Sequence, residues 1–156
     1  MHPELSRQLF DEQINRITGN PELLIDRGWL ILRSLYPELT LAVKHRVSGL
    51  IRVFHFECGD WNDQPPALKL VDAESGSELP GSAWPKDNAS HWHPSGWTSA
   101  GGISTLRPFM CMVGIREYHT HSSHIRDRWE NYRELQGYDL PGIVVQVTEV
   151  FQKSNV

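Results

Sequence analysis

Residues 39–57, "LTLAVKHRVSGLIRVFHFE", set the architecture. "LTLAVKHRV" alternates apolar and polar side chains, Ser48-Gly49 signals a turn, and the alternation resumes in "LIRVFHFEC". Ile51, Val53 and His55 fall on one side, against Leu50, Arg52, Phe54 and Phe56 on the other. A strand turns successive side chains to opposite faces, so the stretch predicts two antiparallel strands joined by a short turn. On its N-terminal side, "GWLILRSL" (28–35) supplies a further strand that "YPE" punctuates. On its C-terminal side, "ALKLVD" (67–72) supplies another, entered through Pro65-Pro66, which must lie outside any ladder. The four segments make an antiparallel β-meander.

Helical spacing frames this meander at the N-terminus. Leu5, Leu9, Phe10, Ile14 and Ile17 recur along "ELSRQLFDEQINRIT" (4–18), and Gly19 stops the pattern. "NPELL" (20–24) has an Asn cap with proline at the first helical position and predicts one or two more turns. Residues 73–108, rich in Gly, Ser, Pro, Asn and Trp, read as a long irregular segment, and such runs are functional or mobile. "PFMCMVGIREYHTH" (108–121) then reads as an extended site strand. "IRDRWENYRELQG" (125–137) reads as a helix with Trp129, Tyr132 and Leu135 on one stripe, and "GIVVQVTEVF" (142–151) as a last strand. The expectation is a single α+β domain over 1–156.

Composition narrows the function. The 156-residue chain has a formal charge of −4 and no Lys/Arg-rich run, which argues against nucleic acid as a partner. No stretch of about 18 apolar residues is present, and the mixed-charge N-terminus does not resemble a secretory signal. Two cysteines, Cys58 and Cys111, are too few for a disulfide framework. A soluble, cytoplasmic protein without a membrane partner is expected.

The densest chemistry lies in "REYHTHSSH" (116–124), which holds three of the chain's eight histidines. On an extended strand Cys111, Glu117, His119 and His121 share one face, and His124 is placed to fold back towards His121. Thiolate, imidazole and carboxylate suit zinc, which takes four such donors at about 2.0–2.3 Å. Cys111 would lie roughly 20 Å from Glu117 along a straight strand, so a shared site needs a bend, and Gly114 is the place for it. The bland alternative is a polar strand end with Cys111 as a small hydrophobe in "FMCMV". A third reading makes Cys111 a nucleophile activated by a nearby histidine. "HWHP" (91–94) is similar to the HxHP of JAB/MPN metalloproteases, but no aspartate follows Ser99. "HTH" lacks the downstream Glu and flanking glycines of a cupin, and "SAGGIST" lacks the Lys of a P-loop. His91 and His93 therefore read as polar loop residues, and Trp92 and Trp97 as either a partner surface or packing over the core.

"RPFMCMVGIREYHTHSSHIRDRWENYR" (107–133) resembles the predicted metal-binding CEHH family of bacteria, and the likeness extends from "FHFECGDW" to the expected final strand. That family takes its name from a Cys, a Glu and two His, and its genes accompany those of ubiquitin-like proteins, their activating and conjugating enzymes, and JAB peptidases. The resemblance implies Cys111, Glu117 and two of His119, His121 and His124 as ligands of a metal, zinc first, with Cys58 a lower-ranked cysteine. It implies an accessory role in a ubiquitin-like modification pathway, with the ubiquitin-like protein or its enzymes as partners. The meander followed by "CGDWNDQPPALKLVD" (58–72) is also similar to the strand–turn–strand of ubiquitin-conjugating enzymes. "HPS" (93–95) stands where those enzymes carry His-Pro-Asn, and Cys111 lies downstream as their catalytic cysteine does. The alternatives this leaves are a conjugating-enzyme-like carrier using Cys111, or a metal-free interaction module.

Overall fold

The computed structural model describes residues 1–98, 101–102, 104–105 and 107–156. Helix α1 (Pro3–Thr18) starts where the His2 ring accepts the Glu4 N–H, with Pro3 in the first turn. Its stripe of Phe10, Ile14 and Ile17 is buried. Helix α2 (Pro21–Arg27) is capped by the Asn20 side chain, which accepts from the Leu23 N–H at 3.2 Å. Gly28 ends it at φ +65°, a left-handed conformation that favours glycine.

Four strands come next in order: β1 (Trp29–Leu35), β2 (Glu38–Lys44), β3 (Ile51–Glu57) and β4 (Ala67–Val71) form one antiparallel sheet. Leu41 pairs with Phe54 and Leu39 with Phe56, while Phe56 faces Leu68 and Phe54 faces Leu70. All six of these side chains are buried, so the expected alternation sets the inner face of the sheet. On the outer face Thr40 and His55 meet at 2.8 Å.

The inner face is covered by α1 and by helix α4 (Leu140–Gln152). Here the expected final strand is overturned. Leu140, Ile143, Val144, Val147, Thr148 and Phe151 are buried at spacings of three and four, a helical stripe. Asp139 caps the Gly142 N–H at 2.9 Å, and Pro141 sits in the first turn. The β-branched composition of "IVVQV" is overridden by these start signals and by the apolar face the helix supplies.

Two more expected elements change. The site strand over 109–121 shrinks to β8 (Phe109–Met110), which leads into a turn at Gly114 and the short helix α3 (Arg116–Thr120). The helix expected over 125–137 is a series of turns with one 3-10 turn at Trp129–Asn131, and Leu135 is exposed. Its aromatic residues are held individually: the Trp129 indole donates to the Asn62 carbonyl at 2.8 Å, and the Tyr132 hydroxyl to Asp127 at 2.7 Å. The long segment 73–108 is largely irregular, as expected, but carries a 3-10 turn at Gly81–Ala83 and the short strands β5 (Trp92–His93), β6 (Trp97–Thr98) and β7 (Ser104–Thr105). Strand β5 pairs with β8, and β6 with β7. Trp92 is buried, whereas the Trp97 side chain and the residues Ser99 and Ala100 lie outside the described part of the chain. No helix among the described residues is long and apolar enough to cross a membrane.

Phe54 is fully buried and meets the Phe151 ring edge-on, with centroids 5.3 Å apart. Phe54→Ala is expected to cost about 3–5 kcal/mol in urea unfolding. Leu30→Ala, at a side chain 62% exposed on the sheet edge, stays within about 0.5 kcal/mol of wild type.

Candidate functional site

The site is built on the ribbon formed by β5 and β8, in which Trp92 pairs with Met110 and His93 with Phe109. Trp92 and Met110 turn inward, and the Trp92 indole donates to Ser154 Oγ at 2.7 Å, which ties the ribbon to the end of α4. The Cys111 N–H donates to the His91 carbonyl at 2.7 Å and continues the ladder by one residue. By alternation His91, His93, Phe109 and Cys111 belong to the opposite face. His93 stacks on Phe109 at 4.7 Å, and His121 stacks on the same ring at 5.5 Å.

Beyond Cys111 the chain turns at Gly114, whose φ of +92° disfavours any side chain. The expected bend is therefore present, but the chain leaves it as a helix and not as a strand. Residues two apart on a helix diverge by about 200°, so α3 separates Glu117 from His119 instead of aligning them. Glu117 is buried on the side of β4, where it accepts from the Leu68 N–H at 3.3 Å and pairs with Arg107 at 3.3 Å. Burial pushes its carboxyl above the ordinary range, with the Arg107 guanidinium opposing the shift. It borders a cavity of about 240 Å³ shared with Ala67, Pro108 and Phe109.

His119 points the other way, and both of its ring nitrogens are engaged. Its Nε2 accepts the Gly114 N–H at 3.1 Å, so the proton sits on Nδ1, which donates to the Asp127 carbonyl at 2.7 Å. Burial holds the ring below the usual imidazole range, in keeping with this neutral tautomer. His121 sits just past the helix, and its Nδ1 accepts the Ser123 N–H at 3.1 Å.

His124 is the histidine that reaches the cysteine. Its Nε2 lies 3.5 Å from Cys111 Sγ, and its ring stacks on Tyr118 at 4.0 Å. The Tyr118 hydroxyl donates to Asp127 at 2.6 Å, and Tyr132 donates to the other carboxylate oxygen at 2.7 Å. Cys111 is partly buried, and burial raises its thiol above the ordinary range. Burial thus favours the neutral thiol, with the His124 imidazole in contact with it. Cys58 is fully buried in the core, its thiol pushed far up by burial, and lies away from this chemistry.

Of the five residues expected to bind metal, the structure brings together Cys111 and His124, with the His121 ring 5.9 Å from that of His124. Glu117 and His119 are committed elsewhere, and no three His, Cys, Asp or Glu side chains among the described residues converge as a metal site. Sequence reasoning missed Tyr118, Asp127 and Asp87, and read His91 as a polar loop residue. The i, i+4 pair Asp87/His91 was visible as spacing, but nothing in the sequence tied it to Cys111. No protein-family model and no curated protein matches the chain.

The two phenols hold the Asp127 carboxyl below its usual range, so their contribution is present above pH about 4 and is lost as pH falls through the lowered folded value. Asp127→Asn is expected to lower stability by about 1 kcal/mol at pH 7, discounted for partial exposure. Thermal melts should show the gap to wild type closing on acidification below pH about 4.

Proposed function

We propose that this protein is a cytoplasmic thioester carrier of a bacterial ubiquitin-like modification pathway, with Cys111 as the acyl-accepting nucleophile and His124 as its base. The Sγ–Nε2 separation of 3.5 Å carries the reading, because a thiol kept neutral by burial needs an adjacent acceptor to become a nucleophile. The element order supports it too: two helices, a four-stranded antiparallel meander, a cysteine just past β8, and a helix across the sheet. In the loading step Cys111 Sγ attacks the carbonyl carbon of an incoming thioester while His124 takes the thiol proton. The bond to the donor sulfur then breaks, and the departing thiolate recovers that proton. The partner is a ubiquitin-like protein with an activated C-terminus.

One observation favours a second reading, a zinc-binding accessory protein. A separation of 3.5 Å is also about that of two donors on one tetrahedral zinc, and His121 adjoins the pair. A single set of preparations separates the two. Wild type mixed with a peptide ending in Gly-Gly, supplied as the thioester of a small thiol, is expected to form a thiol-cleavable adduct. Mass spectrometry should place it on Cys111, with none in Cys111→Ala and formation slowed about 100-fold in His124→Ala. An adduct that survives Cys111→Ala sinks the carrier. About one zinc per chain in tag-free protein, lost in Cys111→Ser, replaces it with the metal reading.

A further inference from the structure

We propose that His91, oriented by Asp87, is the second base of the Cys111 site and takes the proton of the amine that discharges the carrier. The inference rests on the carrier reading and adds the step that reading leaves without a residue. Strand register supplies the placement. With Trp92 opposite Met110 and His93 opposite Phe109, the next pair along the ribbon is His91 opposite Cys111, and the Cys111 N–H to His91 carbonyl bond of 2.7 Å closes it. Directly paired residues of an antiparallel ladder project to the same face, with Cβ atoms about 4.5–5.5 Å apart. The stacked rings of His93 and Phe109 show that this register rule operates on this very face.

Asp87 then fixes the ring. One carboxylate oxygen accepts the His91 backbone N–H at 2.9 Å and the other accepts from Nδ1 at 2.5 Å, with only 11% of the Asp87 side chain exposed. A carboxylate only accepts, so the proton of the neutral ring is on Nδ1 and the lone pair is on Nε2. The pairing resembles the way a catalytic imidazole is held by a buried acid. Cys111 is thus served from two sides. His124 reaches its sulfur from the loop after α3, and His91 is paired with its backbone across the ribbon.

Two bases answer a difficulty of acyl carriers, which must receive an acyl group on sulfur and pass it to nitrogen. In discharge, the unprotonated amine attacks the thioester carbon, the C–N bond forms and the C–Sγ bond breaks. The electron pair returns to Cys111 Sγ. The N–H proton passes to His91 Nε2 and from there to the sulfur, leaving an amide, a neutral thiol and a neutral imidazole. No co-reactant is needed.

The test uses the full chain loaded on Cys111 with the Gly-Gly peptide and freed of donor, then discharged to free lysine or to hydroxylamine. The lysine nitrogen is strongly basic and holds its proton, whereas the weakly basic hydroxylamine nitrogen releases its proton to water without help. His91→Ala and Asp87→Asn are each expected to lower the ratio of lysine to hydroxylamine discharge about 100-fold, and added imidazole to restore lysine discharge in His91→Ala. A ratio that stays at the wild-type value overturns the inference, whether both rates fall together, as for a purely structural role, or neither falls. Failure of the wild type to load at all is a separate result, which removes the carrier reading itself.

Discussion

The Phe151 ring meets Phe54 edge-on at 5.3 Å and His45 edge-on at the same distance, and the placement of α4 across the inner face of the sheet depends on that contact. A four-stranded sheet with Leu39, Leu41, Phe54, Phe56, Leu68 and Leu70 on one side must bury that side against something. Helix α1 contributes Phe10, Ile14 and Ile17, and α4 contributes Ile143, Val147 and Phe151. Once α4 occupies the face, the residues between β4 and α4 must run around the end of the sheet. They do so as turns, two short ribbons and one helix of five residues. Two contacts hold this crossing in place. Trp92 bonds to Ser154 just beyond α4, and Arg116 spans the Pro65 and Gly59 carbonyls and the Glu57 carboxylate beside the sheet.

This crossing also sorts the chemistry. A strand through 109–121 would have lined up carboxylate and imidazoles as a ladder; the turn at Gly114 and the helix after it give each a different neighbour. Glu117 goes to Arg107 and the Leu68 amide, and His119 to the Gly114 amide and the Asp127 carbonyl. His124 goes to Cys111. Both ring nitrogens of His119 serve the backbone of the loop, which makes it a structural residue of the segment that carries Cys111. Asp127 has a comparable part. Through Tyr118 it steadies the surface on which His124 stacks, and through Tyr132 it holds the turns that replace the expected helix.

Legibility depends on whether the deciding signal is local. The meander is readable because Leu39, Leu41, Phe54 and Phe56 alternate with polar residues, and period two leaves little choice of face. Helix α1 is readable because Leu5, Leu9, Phe10, Ile14 and Ile17 keep helical spacing up to Gly19, and α2 because Asn20 and Pro21 mark its start. The segment Gly142–Phe151 misleads because "IVVQV" has strand-like composition, which outweighs the Asp139–Pro141 start signal on the page. The stretch 111–124 misleads for a deeper reason. Its conformation is set by partners far away in sequence, such as the Pro66 carbonyl that accepts the Arg116 N–H at 2.8 Å. The need for a bend at Gly114 is visible in the sequence; the neighbours that the bend brings to Cys111 are not. His91 reads as a loop residue because its meaning comes from register with a strand about 20 residues on.

The state of the thiol ties these observations together. A cysteine whose pKa is lowered at rest would be a nucleophile towards any electrophile that reached it, and would be exposed to oxidation as well. Burial does the opposite here and shifts the Cys111 thiol above its ordinary range, towards its neutral form. On the carrier reading, reactivity then depends on a proton acceptor in contact at the moment of attack, and His124 is the group in contact. The same burial that quiets the thiol strengthens its dependence on the geometry of one stacked ring. That ring is held by Tyr118 on α3, the tyrosine by Asp127, and the start of α3 by the Gly114 turn.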